Sequence, residues 1–250
     1  MRQLRHEAYG EDIGQHSWVG ASELRGDIHR LKLSPSSRLI DLGCGPCGPL
    51  TFIVASVRCP GTGVELSPSA LQVGRARAAS LGIDTLLSVQ VADLNEPLPF
   101  EPDSFDAAMS LDVVLHLHDR LKFFNEVAKL LSPGGRFLFT DAGVLTGCVS
   151  NEEIRNRSVH GPTHFVAVGW NEELLESAGL RLIETENRTT SMLENARGRL
   201  AAMHAHRGEL GEVLGAADLE RQQDYLKTVI ELSRRRAVSR MMYLAEVRAP

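Results

Sequence analysis

The stretch Leu39-Ile40-Asp41-Leu42-Gly43-Cys44-Gly45-Pro46-Cys47-Gly48 decides how the rest of the chain is read. An apolar run that closes on an acid leads into Gly43, Gly45 and Gly48. The pattern predicts a buried strand, a tight turn and a helix start, with backbone bare of side chains where a nucleotide-like ligand approaches. The same letters contain Cys44-Gly45-Pro46-Cys47, a dithiol spacing, so one segment supports two incompatible readings.

Working outward, strands and helices alternate. Arg38–Leu42 predicts a short buried strand and Pro49–Ser56 an apolar helix. Thr62–Leu66 predicts a second strand, and Ser67-Pro68 opens the next helix with a cap followed by proline, running to about Leu81. Leu87–Ala92 and Phe105–Leu111 predict further strands. A helix from Asp119 to Leu131 places Leu121, Phe124, Ala128 and Leu131 on one stripe, and Arg136–Thr140 follows as a fifth strand. This alternation predicts an α/β fold, a Rossmann-like doubly wound, mostly parallel sheet covered on both faces. Upstream, Ser22 caps a helix carrying Leu24, Ile28 and Leu31, and Pro35 ends it. Val144 to Phe165 reads as a long loop or broken helix. Asn171 caps a helix ending at Gly179, and Leu180–Glu186 is a strand. Thr190 to Arg236 is mostly helical with a break near Gly208–Gly215, and Arg240–Val247 is a last, antiparallel strand. The expected organisation is an N-terminal helical segment over 1–34, a Rossmann-like domain over 35–188 and 238–250, and a helical cap inserted at 189–237.

Composition narrows the function classes. A chain of 250 residues with formal net charge -5 lacks the basic face that a general nucleic-acid or anionic-membrane binder needs. The Arg234-Arg235-Arg236 run reads as a solvated helix face. The N-terminus lacks an apolar signal core, and no apolar run approaches the ~20 residues that span a bilayer. Four cysteines do not make a disulfide scaffold in a chain this long. These features lead to an expectation of a cytoplasmic protein acting on a small molecule; oligomeric state is not set by sequence, a homodimer being one option.

The redox reading needs a thiol of depressed pKa exposed at a helix N-terminus. Cys44 meets the helix condition. However, Gly43 stands where thioredoxin-like chains carry an aromatic residue, and the motif lies inside a longer parallel α/β pattern; small, buried space-fillers are the simpler reading of both cysteines. Of the nucleotide readings, Glu65 at the second strand end suits ribose hydroxyls in either a dinucleotide or S-adenosylmethionine. Asp41 repels a pyrophosphate and favours an ammonium group, and Asp93 at the third strand end accepts from an exocyclic amine. Together these acids favour a cationic, adenosine-bearing cofactor.

With these residues in view, the chain resembles the class I S-adenosylmethionine-dependent methyltransferases. The resemblance rests on Asp41-Leu42-Gly43-Cys44-Gly45, Gly63-Val64-Glu65-Leu66-Ser67, Ala92-Asp93, Ser104-Phe105-Asp106, Leu130-Leu131-Ser132-Pro133-Gly134-Gly135 and Leu174 to Leu180. Within the class it is loosely similar to small-molecule enzymes of the sarcosine and phosphoethanolamine type, which carry a helical cap. The resemblance implies that Gly43 and Gly45 let backbone approach the cofactor, and that Glu65 binds ribose with Leu66 beside it. It also implies that Asp93 binds adenine with Leu94 packed nearby, and that Leu111 contacts the methionine part. The segment Gly14-Gln15-His16-Ser17-Trp18 resembles one that closes over the cofactor, giving Gln15 and Trp18 as further contacts.

For chemistry, Asp112 and His116 leave the fourth strand at the ligand edge and are the candidate acid–base or orienting groups. Asp141, His160, His164 and Tyr9 are the candidate substrate contacts. A metal held by His116, His160 and His164 lacks compact ligand spacing, so none is assigned. Methyl transfer to a small nucleophile, nitrogen or oxygen before carbon or sulfur, is the expected activity. A nicotinamide-dependent oxidoreductase on the same fold and a non-catalytic cofactor-binding partner are the alternatives.

Overall fold

In the strand β1, Leu39–Leu42, all four residues are buried. Neighbouring side chains on a strand point to opposite faces. Leu39 therefore joins a core with Leu50, Ile53 and Leu71, whereas Ile40 joins one with Phe124, Phe137 and Phe139. That two-sided burial is what a central parallel strand requires. The computed structural model of the protein describes residues 2–159 and 161–248.

In chain order the remaining elements are α1 Arg2–Tyr9, α2 Ala21–Arg30, α3 Gly48–Val57, β2 Gly61–Glu65, α4 Pro68–Ser80, β3 Leu87–Val91, β4 Phe105–Leu111, α5 Arg120–Leu130, β5 Leu131–Leu145, α6 Asn151–Arg157, β6 Val166–Ala167, α7 Trp170–Ser177, β7 Leu180–Asn187, α8 Thr189–Ala205, α9 Arg207–Leu214, α10 Ala216–Arg234 and β8 Val238–Val247. The sheet order is β3-β2-β1-β4-β5-β8-β7, with β6 beside β5. β1 to β5 pair in parallel, and β8 runs antiparallel between β5 and β7. The switch point lies between β1 and β4, where open α/β sheets bind ligands beyond their carboxyl ends. This is the mostly parallel Rossmann-like sheet with an antiparallel last strand.

Several details differ from the sequence reading. α2 starts after Gly20 without a side-chain cap, one residue before Ser22. Asn171 lies inside α7, and its side chain turns to Asp141 instead of the helix start. The stretch after β5 contains α6, opened by a reciprocal capping box between Ser150 and Glu153. The helical stretch breaks at His206 and again at Gly215.

α8 and α10 pack on each other and hold a third core with Met192, Ala196, Tyr225 and Val229. Ala142, at the end of β5, and Trp18 enter the same core. α1 packs along α8, where a Cβ on Gly198 would lie 2.3 Å from the Ala8 carbonyl oxygen. From α1 the chain runs as a strap, residues 10–20, back over the carboxyl ends of β1 and β4. No helix among the described residues is long and apolar enough to cross a membrane.

Candidate active site

The turn after β1 brings backbone to the sheet edge. Gly43 has φ +83, and a Cβ there would lie 2.6 Å from the Val113 side chain, so no other residue fits. Gly48 answers to the strap: its absent Cβ would lie 2.3 Å from the Gly14 carbonyl oxygen. The third glycine of the motif thus lets the N-terminal strap close on α3. A cleft of about 200 Å³ results, lined by Asp41, Gly43, Cys44 and Gly45 below, Leu111 and Asp112 beside, and Gly14, His16 and Ser17 from the strap.

The acids along this edge differ in state. Asp41 is 2% exposed, and no group among the described residues donates a hydrogen bond to it. Burial, reinforced by the negative charge of Glu65, pushes its pKa up to about 8. Glu65 is fixed by two backbone donors, Gly45 N at 3.1 Å and Ser67 N at 3.0 Å. Asp93 accepts from the backbone and side chain of Asn95, both at 2.9 Å, which hold its pKa below the usual carboxylate range. Leu66 is exposed and Leu94 partly buried. Glu65, Leu66, Asp93 and Leu94 therefore lie along the open edge beyond the enclosed part of the cleft.

The setting of the two cysteines does not suit a redox pair. Their sulfurs lie 3.5 Å apart, buried, in space left open by Gly63 and Gly74. Their mutual hydrogen bond and burial push the Cys44 thiol far above the ordinary range, the opposite of what a redox nucleophile requires. The double substitution Cys44→Ser with Cys47→Ser is expected to lower thermal stability while changing kcat/KM less than about threefold in a methyl-transfer assay; loss of turnover with cofactor binding intact would contradict this assignment.

A second cavity, about 280 Å³, adjoins the cleft under α10 and shares His16, Ser17 and Asp112 with it. His116, Trp18, Thr163, Arg157, Arg199 and Tyr225 complete its wall. Here the structure reassigns several residues. Asp112 has φ +60, a left-handed conformation that Asp tolerates better than most residues, and its carboxylate is fully engaged. It accepts from Trp18 N at 2.9 Å, Thr140 Oγ1 at 2.8 Å and Arg240 Nε at 2.9 Å. It is a latch for the strap and not a free base. His116 keeps its place: Pro162 O can only accept, so Nδ1 carries the proton of that 2.8 Å bond, and Nε2 is the ring nitrogen left to face the chamber.

Asp141 is fully buried away from both cavities, bonded to Arg120, Asn171 and the Gly143 N–H. Strand-end position suggested a substrate contact, but α5 and α7 supply the partners that claim it. His164 uses its backbone on Leu115 and Arg120 and sets its ring against His118, leaving Thr163 as the cavity residue. His160 lies outside the described residues. Gln15 binds backbone of its own segment, at Ile13 N and Glu11 O, and does not line the cofactor cleft. Trp18 stacks on Tyr225 in the cap core, with the Arg199 guanidinium 4.8 Å above its ring. Tyr9 donates to Ser17 O at 3.0 Å and lines a third, apolar cavity between α1 and the cap.

His16 went unassigned in the sequence reading. It borders all three cavities. Surrounding protein and the positive charges of Arg5, Arg199 and Arg77 hold its pKa below the ordinary value, so it is neutral at pH 7. Among the described residues no three His, Cys, Asp or Glu side chains converge as metal ligands.

The donor set fits S-adenosylmethionine better than a dinucleotide. A buried carboxyl at Asp41 without a partner among the described residues suits an ammonium, and the described lining of the cleft holds no lysine or arginine that would face a pyrophosphate beside Gly43 and Gly45. Sheet order and glycine turn together define a Rossmann-like fold. Residues 40–139 match a family described as a methyltransferase domain. Among relatives, Methyltransferase GfsG of Streptomyces halstedii is 30% identical over 161 residues, 62% of this chain and 56% of that protein. The chain thus spans little more than half the length of this relative. Among solved structures, phosphoethanolamine N-methyltransferase 2 of Haemonchus contortus, bound to phosphomonomethylethanolamine and S-adenosylhomocysteine, superposes with TM-score 0.83 at 22% identity. The match covers 99% of this chain and 57% of that one. The [4+2]-cyclase SpnF superposes with TM-score 0.80 at 17% identity over 99% of this chain and 93% of that one. Proteins of different named chemistry share the fold, so the reaction has to be argued from the site.

Proposed function

We propose that this protein transfers a methyl group from S-adenosylmethionine to a nitrogen or oxygen of a small molecule held under the helical cap. The observation that carries the reading is the junction of two cavities, a cleft with a partnerless acid at Asp41 and a chamber with His116, meeting at His16, Ser17 and Asp112. When bound, the cofactor supplies a methyl group already activated on a sulfonium. The protein's own work is to align and dehydrate, and ordering of this kind can supply about 7–11 kcal/mol.

In this reading Asp41 takes the ammonium, Glu65 the ribose hydroxyls and Asp93 the adenine amine, while Gly43 and Gly45 leave room for close approach. The strap, residues 10–20, closes the cleft, and residues 189–237 roof the acceptor chamber. His116, its tautomer fixed by Pro162, accepts the acceptor's proton at Nε2. His16, whose surroundings disfavour its charged form, lies at the same junction. Arg240 and Asp112 hold the strap and take no part in proton transfer.

Calorimetry with S-adenosylhomocysteine and with NAD, followed by a methyl-transfer screen over amines and alcohols, tests the reading. Binding of S-adenosylhomocysteine without NAD binding is expected. His116→Gln is expected to lower kcat by about 10²–10⁴-fold with cofactor affinity unchanged. Tight NAD binding with no response to S-adenosylhomocysteine would overturn the class assignment; an unchanged kcat in His116→Gln would remove His116 as the base.

A further inference from the structure

Two cations in the acceptor chamber, Arg157 and Arg199, have no counter-charge among the described residues. Arg157 is 4% exposed; its Nη1 donates to Tyr225 Oη and its Nη2 to Ala142 O, both at 2.8 Å, and its plane lies over the Tyr225 ring. Arg199 sits over Trp18. Among the described residues neither forms an ion pair with a carboxylate. Among the described residues the only acid in the chamber wall is Asp112, and Arg240 already neutralises it at 2.9 Å. A buried guanidinium without an anion is costly unless a ligand supplies one, and its planar fork suits carboxylate or phosphate.

The third cavity adds the other half. It adjoins the chamber through His16 and Arg199, and its far wall is apolar: Ala8, Ala202, Met203, Leu210 and Leu214. Its volume of about 190 Å³ takes several methylenes.

We propose that the methyl acceptor is amphiphilic, with an anionic group held by Arg157 and Arg199 and an apolar tail in the pocket between α1 and the cap. The inference rests on the methyl-transfer reading for the word acceptor, but the binding chemistry stands apart from turnover. It separates this chain from acceptors that are small and hydrophilic throughout.

The test is calorimetry on the full chain, with and without S-adenosylhomocysteine, using hexanoate, octanoate, octanol, octyl phosphate and phosphoethanolamine as probes. Octanoate or octyl phosphate is expected to bind at least about tenfold more tightly than octanol, and either ranking of the two names the preferred anion. Each added methylene should tighten binding about fourfold, and Ala202→Trp, which fills the tail pocket, should remove that dependence. Arg157→Met should weaken the anions about 30-fold and leave octanol unchanged, with Arg157→Lys recovering part of the loss. A variant that merely packs badly weakens alcohol and anion alike, and Arg199→Met provides a second, less buried probe. The proposal fails if octanol matches octanoate, if Arg157→Met and Arg199→Met both leave anion affinity unchanged, or if phosphoethanolamine binds as tightly as octyl phosphate. Absence of S-adenosylhomocysteine binding would instead strike the methyl-transfer reading, leaving the anion result to be read in the free protein.

Discussion

Asp41→Asn is expected to weaken S-adenosylmethionine and S-adenosylhomocysteine binding by about 30- to 150-fold, the loss of roughly 2–3 kcal/mol that accompanies removal of a charged hydrogen-bond partner. The cause is specific. Among the described residues Asp41 has no hydrogen-bond partner, so in the proposed complex the ligand's ammonium would make its charge tolerable. In the free protein its pKa of about 8 leaves it mostly protonated at pH 7. Binding a cation must then expel the proton. Isothermal titration at pH 7 in buffers of different ionisation enthalpy should report nearly one proton released by the native protein and less by the variant.

The pH profile carries the same signature with a fixed sign. Below about pH 8 the native protein must lose a proton to bind, so affinity rises with pH and levels off above that value. Titration of the ligand's own amine is common to both proteins, so the difference between the two profiles belongs to Asp41. For the free protein, the folded pKa of about 8 exceeds the unfolded carboxylate value of about 4. Between those values the folded state holds the extra proton, and stability falls as pH rises through the window. Asp41→Asn removes that fall, so at pH 8 and above the free variant should be the more stable protein while binding ligand worse. Equal affinities for native protein and variant across pH 6–9 would refute the role.

The strand, the acid and the glycine turn of the candidate cofactor cleft were legible because they are local, whereas Gln15 and Trp18, expected beside them, lie outside the cleft lining. Strand, acid and glycines lie within ten consecutive letters, and Glu65 and Asp93 sit at the next two strand ends. The acceptor side was not, because tertiary packing builds it from distant segments. Asp141 had every local mark of an edge residue, yet Arg120 and Asn171, far along the chain, enclose it. Asp112 has a left-handed backbone that turns its carboxylate to Trp18 N, which no spacing rule foretells. Arg157 lies in a stretch read as a long loop or broken helix, and only α10 closing over it reveals a cation without an anion among the described residues. His16 had a readable signal, a histidine in the segment expected to close over the cofactor; its place at three cavities follows from α1 docking on α8.

Arg240→Met should be the most destabilising single change, because Arg240 ties the strap, α2 and the sheet together from a fully buried position. Nε donates to Asp112 at 2.9 Å and Nη1 to Glu23 at 2.8 Å. Glu23 also lies near Arg188, which grips Asp27, so α2 is clamped to β8 and the start of α8 by one charge network. Removing the cation leaves two buried or half-buried carboxylates facing each other's field. Breaking a buried pair from one side costs about 3–5 kcal/mol, a fall in Tm of about 6–20 °C for a chain of this size. Asp112→Asn keeps the left-handed backbone and removes one of the stranded charges. The double variant should therefore lose less than the sum of the two single losses, with a coupling of about 1–3 kcal/mol. Because Asp112 also accepts from Trp18 N, Arg240→Met should loosen residues 14–18 selectively. Amide exchange at Trp18 should rise more than exchange in β3, on the far side of the sheet. Additive losses in the cycle, or equal exchange in both places, would show that Arg240 stabilises the fold without latching the strap.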